Sequence, residues 1–162
     1  SEGVNLGCEF LVRLPLVEEA TAGVQAPEAA SSVPGLRARV LVVDDNVDAA
    51  DALGMLLDVL GAEVQVVHDG PSALDLAPRF RPHVVLLDLG MPGMHGLEVA
   101  RHLRAEPALA GVRLVALTGW GQQEDRRRTR EAGFDHHLVK PADLDALQAI
   151  LAGYDEALRV TD

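Results

Sequence analysis

Five side chains in this sequence have the types and positions for chemistry on a charged, oxygen-rich group. Asp44 and Asp45 close the run "VLVVDD", Asp88 closes "VVLLD", Thr118 closes "LVALT" and Lys140 closes "HHLVK". Each follows a short apolar stretch, where a buried strand hands over to a loop. Three carboxylates brought together repel unless a cation lies among them, and hard oxygens in that number suit Mg²⁺. A lysine and a hydroxyl added to such a cluster suit a phosphoryl group: the ammonium offsets charge and the hydroxyl donates a hydrogen bond. A carboxylate beside the metal is then a candidate nucleophile that forms an aspartyl phosphate.

Residues so far apart meet only if the chain repeatedly returns to one edge. In open α/β sheets, ligands bind outside the carboxyl ends of the strands, where strand order reverses. Strands are predicted at Arg39–Val43, Glu63–Val67, His83–Leu87, Arg113–Leu117 and His136–Val139. Helical patterns follow each one. After the first, Leu53, Leu56, Leu57 and Leu60 form a stripe, with Asn46 as N-cap and Gly61 as stop. "GPSALDLAPRF" follows the second strand, with Pro71 suited to a first helical turn. "HGLEVARHLRAE", "QQEDRRRTREAG" and "ADLDALQAIL" follow the others, the last with Leu144, Leu147 and Leu151 on one face. Five βα units predict an α/β fold, a doubly wound parallel sheet with helices on both sides. The uniformly apolar runs "VLVV" and "VVLL" suit strands covered on both faces. Gly90, Pro92, Gly93 and Gly96 follow Asp88, a composition that lets backbone approach a metal or phosphate closely.

Composition narrows the field. The 162 residues, 48% apolar, suit one compact domain with surplus chain. The formal net charge of −11 argues against a general nucleic-acid or anionic-membrane surface. The lone Cys8 excludes an internal disulfide framework and fits a reducing, cytoplasmic setting. No apolar run reaches membrane-spanning length, and no basic-then-apolar leader opens the chain. Residues 17–37, rich in Ala, Glu, Ser and Pro without an apolar period, read as a flexible linker. Ahead of them, Cys8, Phe10, Val12 and Leu14 alternate as in a half-buried strand.

"VLVVDDN", "VVLLDLGMPGMHG", "LVALTGW" and "HLVKPADL" resemble the four signature blocks of response-regulator receiver domains, in order and spacing, from about Arg39 to Leu151. The resemblance implies a CheY-like, flavodoxin-like sheet in the order 2-1-3-4-5. It makes Asp88 the phosphoacceptor for a donor phosphohistidine. It makes Asp45, Asp88 and the backbone carbonyl of Gly90 ligands of Mg²⁺, with Asp44 acting mainly through metal-bound water. Thr118 then bonds one phosphoryl oxygen and moves towards it, Lys140 pairs with another, and the bond before Pro141 is cis. The segment "GVNLGCEFLVRLPL" resembles the last strand of sensor-histidine-kinase ATP-binding domains. Together these suggest the C-terminal receiver of a hybrid histidine kinase, a parent open to membrane attachment through other segments. On that reading 1–16 is a residual kinase strand, 17–37 the linker, 38–153 the receiver and 154–162 a tail, with no transcriptional output domain expected.

One position departs from the family. The switch site three residues before the lysine, usually Tyr or Phe, is His137. Adjacent His136 and His137 point to opposite faces of a strand, which disfavours a shared ion. Gly119 leaves the phosphate approachable, while Gly90 and Trp120 occupy positions that influence phosphoryl lifetime in the family. "RRRTR", Arg126 to Arg130, reads either as a solvated helix face or as a docking patch for an acidic partner. Two functions stay open. One is a phosphoacceptor exchanging phosphate with a histidine kinase or histidine phosphotransfer protein, without nucleic-acid or membrane contact. The other is a phosphorylation-independent protein-binding module. A metal-dependent phosphohydrolase is weaker, for want of a D-x-D acceptor motif.

Overall fold

The computed structural model describes residues 38–119 and 123–159. The strand read at 1–16, the linker at 17–37 and Trp120 lie outside the described residues. Five parallel strands, β1 (Arg39–Val43), β2 (Glu63–Val67), β3 (Val84–Asp88), β4 (Arg113–Thr118) and β5 (His136–Val139), form one sheet in the order β2-β1-β3-β4-β5. The helices are α1 (Val47–Val59), α2 (Gly70–Phe80), α3 (Gly96–Ala105), α4 (Gln123–Glu131) and α5 (Leu144–Arg159). The last continues past position 153. A 3₁₀ turn, Pro107–Leu109, leads into β4. The doubly wound sheet expected from the sequence is present, and its order reverses between β1 and β3.

Strand alternation divides the core in two. Val40, Val42, Val84, Leu86, Val115 and Leu117 pack on one face with Ala50 and Leu57 of α1 and Leu147, Ile150 and Leu151 of α5. Leu41, Val43, Val85, Leu87, Leu114 and Ala116 pack on the other with Ala73 and Ala77 of α2 and Val99, Ala100 and Leu103 of α3. Both faces are dry, which is why these strands have no polar alternation. Truncating one such side chain, Leu41→Ala, costs roughly 2–5 kcal/mol.

The helices start where the sequence marks them. The Asn46 side chain accepts from the Ala49 N–H, capping α1. Asp69 caps α2, accepting from the backbone and hydroxyl of Ser72, and the backbone bond is the main reason its carboxyl sits below the ordinary value. Three details differ from expectation. β3 starts at Val84 and includes Asp88, because the acid itself pairs with Leu117 in the ladder. β4 likewise runs on through Thr118, which pairs with Val139. Leu144 is 40% exposed while Leu147 and Leu151 are buried, since it opens α5 at the rim before the helix reaches the core.

Candidate functional site

The carboxyl ends of β1, β3, β4 and β5 deliver the five residues to one rim. Asp44 follows β1 directly, and its N–H donates to Val67 O across the gap to β2. Its side chain is buried: Oδ1 accepts from the Asn46 N–H at 3.0 Å and Oδ2 meets Lys140 Nζ at 2.6 Å. Asp88 ends β3, also buried, with Oδ1 accepting from the Gly90 N–H at 3.2 Å and Oδ2 at 3.2 Å from the same Nζ. Asp45 is exposed at the rim. One oxygen from each of Asp44, Asp45 and Asp88 lies within 4.8 Å of the others.

Lys140 is held from both ends. Its N–H donates to Thr118 O at 2.7 Å, and its ammonium bridges Asp44 and Asp88. The Lys140–Pro141 peptide is cis. Partial burial opposes the charge on Lys140, but hydrogen bonding to Asp44 and the charge of Asp88 outweigh it and hold the ammonium above its ordinary value. Lysine is therefore charged at any physiological pH. Three carboxylates against one ammonium leave an excess of hard, negative oxygens, a donor set that fits a small dication such as Mg²⁺.

The loop after Asp88 comes close because Gly96 has no side chain. A Cβ there would lie 2.2 Å from Asp88 O and 2.9 Å from Leu89 Cα. Instead the Gly96 N–H donates to Leu89 O, and α3 starts directly against the strand end. On this side a cavity of about 210 Å³ is lined by Asp88, Gly90, His95, Thr118, Gly119 and Arg128 among others. On the other side, an apolar groove of about 560 Å³ is lined by Leu53, Leu56, Leu117 and Pro141, with Asp44 and Lys140 at its border.

Thr118 is buried, and its Oγ1 lies 3.0 Å from His137 Nε2. His136 is exposed, so the two histidines do diverge. Of the residues singled out in the sequence, Asp44, Asp45, Asp88, Gly90, Thr118, His137 and Lys140 all belong to this rim. Trp120 lies outside the described residues. His95 and Arg128 were not singled out as part of the site. His95 caps α3, its Nδ1 accepting from the Leu97 N–H. Arg128 precedes buried Ala132 by four residues, so the phase of α4 was the available signal. Arg127 and Arg130 are exposed and Thr129 is buried within the basic run.

A parallel sheet of this order, with acids, a hydroxyl and a lysine on its carboxyl rim, defines a class, and comparison with known proteins gives the same one. Residues 40–152 match the model of the response regulator receiver domain, and the chain belongs to that family. It is 37% identical over 154 residues to the virulence sensor protein BvgS of Bordetella bronchiseptica, covering 90% of this chain and 12% of that one. It is 41% identical over 106 residues to the DNA-binding response regulator MtrA of Mycobacterium tuberculosis, covering 65% of this chain and 45% of that one. Among solved structures, the receiver domain of the sensor histidine kinase PA1611 from Pseudomonas aeruginosa, with a magnesium ion in its active-site cleft, superposes with a TM-score of 0.67. It is 32% identical and covers 72% of this chain and 96% of that one. The chemotaxis protein CheY4 of Vibrio cholerae gives 0.68 at 29% identity, covering 72% of this chain and 98% of that one. The chain is thus a receiver domain of two-component signalling, and it spans a small part of the sensor protein it matches. Among the described residues, no helix is long and apolar enough to cross a membrane.

Proposed function

We propose that this chain is a working phosphoacceptor, taking a phosphoryl group from a phosphohistidine onto Asp88 in a Mg²⁺-dependent reaction. The observation that carries the reading is the Lys140 ammonium seated between Asp44 and Asp88, with Thr118 lining the cavity that Asp88 borders. Asp44, Asp45, Asp88 and the Gly90 carbonyl would hold the ion, which when bound offsets charge on the phosphoryl oxygens. A carboxylate oxygen of Asp88 attacks phosphorus. The bond from phosphorus to the donor's imidazole nitrogen breaks, and that nitrogen recovers its electron pair. Lys140 faces one developing oxyanion and Thr118 donates to another. Water attack on the acyl phosphate returns the carboxylate and releases inorganic phosphate.

The same reading extends to context. The likeness to BvgS and to the PA1611 receiver supports a place in a hybrid histidine kinase, in the layout given above: residual kinase strand 1–16, linker 17–37, receiver 38–153 and tail 154–162. The partners are a kinase phosphohistidine, a histidine phosphotransfer protein, or both. The groove along α1, bordered by Asp44 and Lys140 and lined with leucines, offers such a partner an apolar seat beside the acceptor.

Phosphoramidate with Mg²⁺ tests this. Intact-mass measurement is expected to find one phosphoryl increment on the wild-type chain, none on Asp88→Asn, and none when a chelator replaces Mg²⁺. An increment that persists on Asp88→Asn would move the acceptor elsewhere. No increment at all on the wild type would favour a binding module that keeps the fold without using the site.

A further inference from the structure

We propose that His137 is a positioning residue for phosphoryl transfer at Asp88: its imidazole decides which acceptor receives the one hydroxyl proton of Thr118. This rests on the phosphoacceptor reading above. The sheet register produces the contact. Ala116 pairs with His137 and Thr118 with Val139, so His137 lies on the Thr118 face of the sheet, one step along from it. The separation of Thr118 Oγ1 and His137 Nε2 is 3.0 Å, a hydrogen bond in either direction. Thr118 also lines the cavity that holds Asp88. His137 lines a second cavity of about 260 Å³, shared with Thr129, Arg130, Phe134, Asp135 and His136. The contact therefore joins the acceptor site to a cavity between α4 and β5.

A threonine hydroxyl has one proton and two lone pairs, whereas each imidazole nitrogen either carries a proton or accepts one. While Nε2 accepts from Thr118, that proton is not available to a phosphoryl oxygen. Once Thr118 donates to the phosphoryl group, Nε2 keeps its place only by donating to Oγ1. Phosphorylation thus selects the imidazole form with a proton on Nε2, and by linkage that form favours phosphorylation. A Phe ring at this position fills space but offers neither role. The charged and titratable groups around the ring, among the described residues, are Arg130 from α4, Asp135 just before β5 and His136 at its start. Asp88 and Arg128 lie on the other side of Thr118.

The test uses the 162-residue chain with Mg²⁺ and beryllofluoride as the phosphoryl stand-in. Two-bond ¹H–¹⁵N spectra of histidine-labelled protein are expected to show His137 becoming protonated on Nε2 when beryllofluoride binds. His137→Phe removes the resting acceptor of the Thr118 proton as well as the bond kept after binding, so it is expected to bind beryllofluoride as tightly as wild type or up to about tenfold more tightly. His137→Gln, whose amide reaches the same hydroxyl, should stay within about threefold of wild type. In a Thr118→Val background, His137→Phe should add nothing further. Binding without movement of the His137 nitrogen signals, or weaker beryllofluoride binding by His137→Phe than by wild type, overturns the proposal. Failure of the wild type to bind beryllofluoride at all overturns the phosphoacceptor reading with it.

Discussion

The two ends of the sheet use the same residue types to opposite ends. At the amino-terminal edge, Arg39, His83, Arg104, Arg113 and Asp135 are each tied to something complementary. The neutral nitrogen Nδ1 of His83 accepts from the Arg39 N–H, and Arg39 Nε donates to Arg81 O. Arg113 Nη1 reaches Ile150 O. Arg104 donates to Gly133 O, Val112 O and Asp135 Oδ2, while that same carboxylate oxygen accepts from the Leu114 N–H. At the carboxyl edge, three acids crowd together and two of them share one lysine. One edge resolves its electrostatics within the protein and acts as a clasp. The other leaves like charges facing each other, which favours uptake of a cation and of an electrophile. Stability and chemistry are thereby assigned to different rims of one sheet.

Substitutions should separate along that line. Lys140→Ala is expected to have the largest effect, slowing uptake from phosphoramidate about a hundredfold while leaving some incorporation. The conformational response to beryllofluoride should fall with it. A response equal to wild type would remove Lys140 from the site. Arg104→Ala should act at the other rim, costing about 2–3 kcal/mol in urea unfolding because three acceptors lose a charged donor. Its phosphoryl uptake per folded molecule should match wild type. Reduced uptake with unchanged stability would break the division between the rims.

A smaller effect sharpens the comparison through pH. His83 is held below its ordinary value of 6.5, chiefly by partial burial, with Arg39 adding to this and Glu63 opposing it. The unfolded chain therefore takes up that proton more readily than the folded one. The His83 contribution to stability is complete above the unfolded value and is lost as pH falls through the depressed folded value. Urea midpoints between pH 8 and about pH 5 should decline less in His83→Gln than in wild type. Parallel declines would show that His83 is not part of the clasp. The smallest expected change is a gain. Arg81 ends α2 at φ 50, in the left-handed region, so Arg81→Gly should raise stability by about 1 kcal/mol.

The chemical rim was legible in the sequence because its members sit at strand ends, and apolar runs mark those ends. The runs "VLVV" and "VVLL" gave strands to within a residue, and the misjudged start of β3 reflects His83, whose backbone still bonds both neighbours. The clasp was not legible. Arg104 lies in α3, Val112 just before β4, and Gly133 and Asp135 between α4 and β5, and nothing in local periodicity brings them together. The Thr118–His137 contact falls between these cases. It follows from alternation once the β4–β5 register is known, but the register itself depends on loops whose lengths do not fix it. Leu144 looked like core because helical phase cannot tell how far along a helix the core extends.

The claim that like charges at the carboxyl rim are held ready for a dication is tested most directly by thermal unfolding with and without Mg²⁺. The midpoint of the wild-type chain should rise with Mg²⁺ concentration, as for any ion that binds only the folded state. Asp88→Asn without Mg²⁺ should melt at or above the metal-free wild type, since one repelling charge is gone, and should gain much less from the ion. Equal rises in wild type and variant, or a metal-free variant that melts well below wild type, would contradict the account.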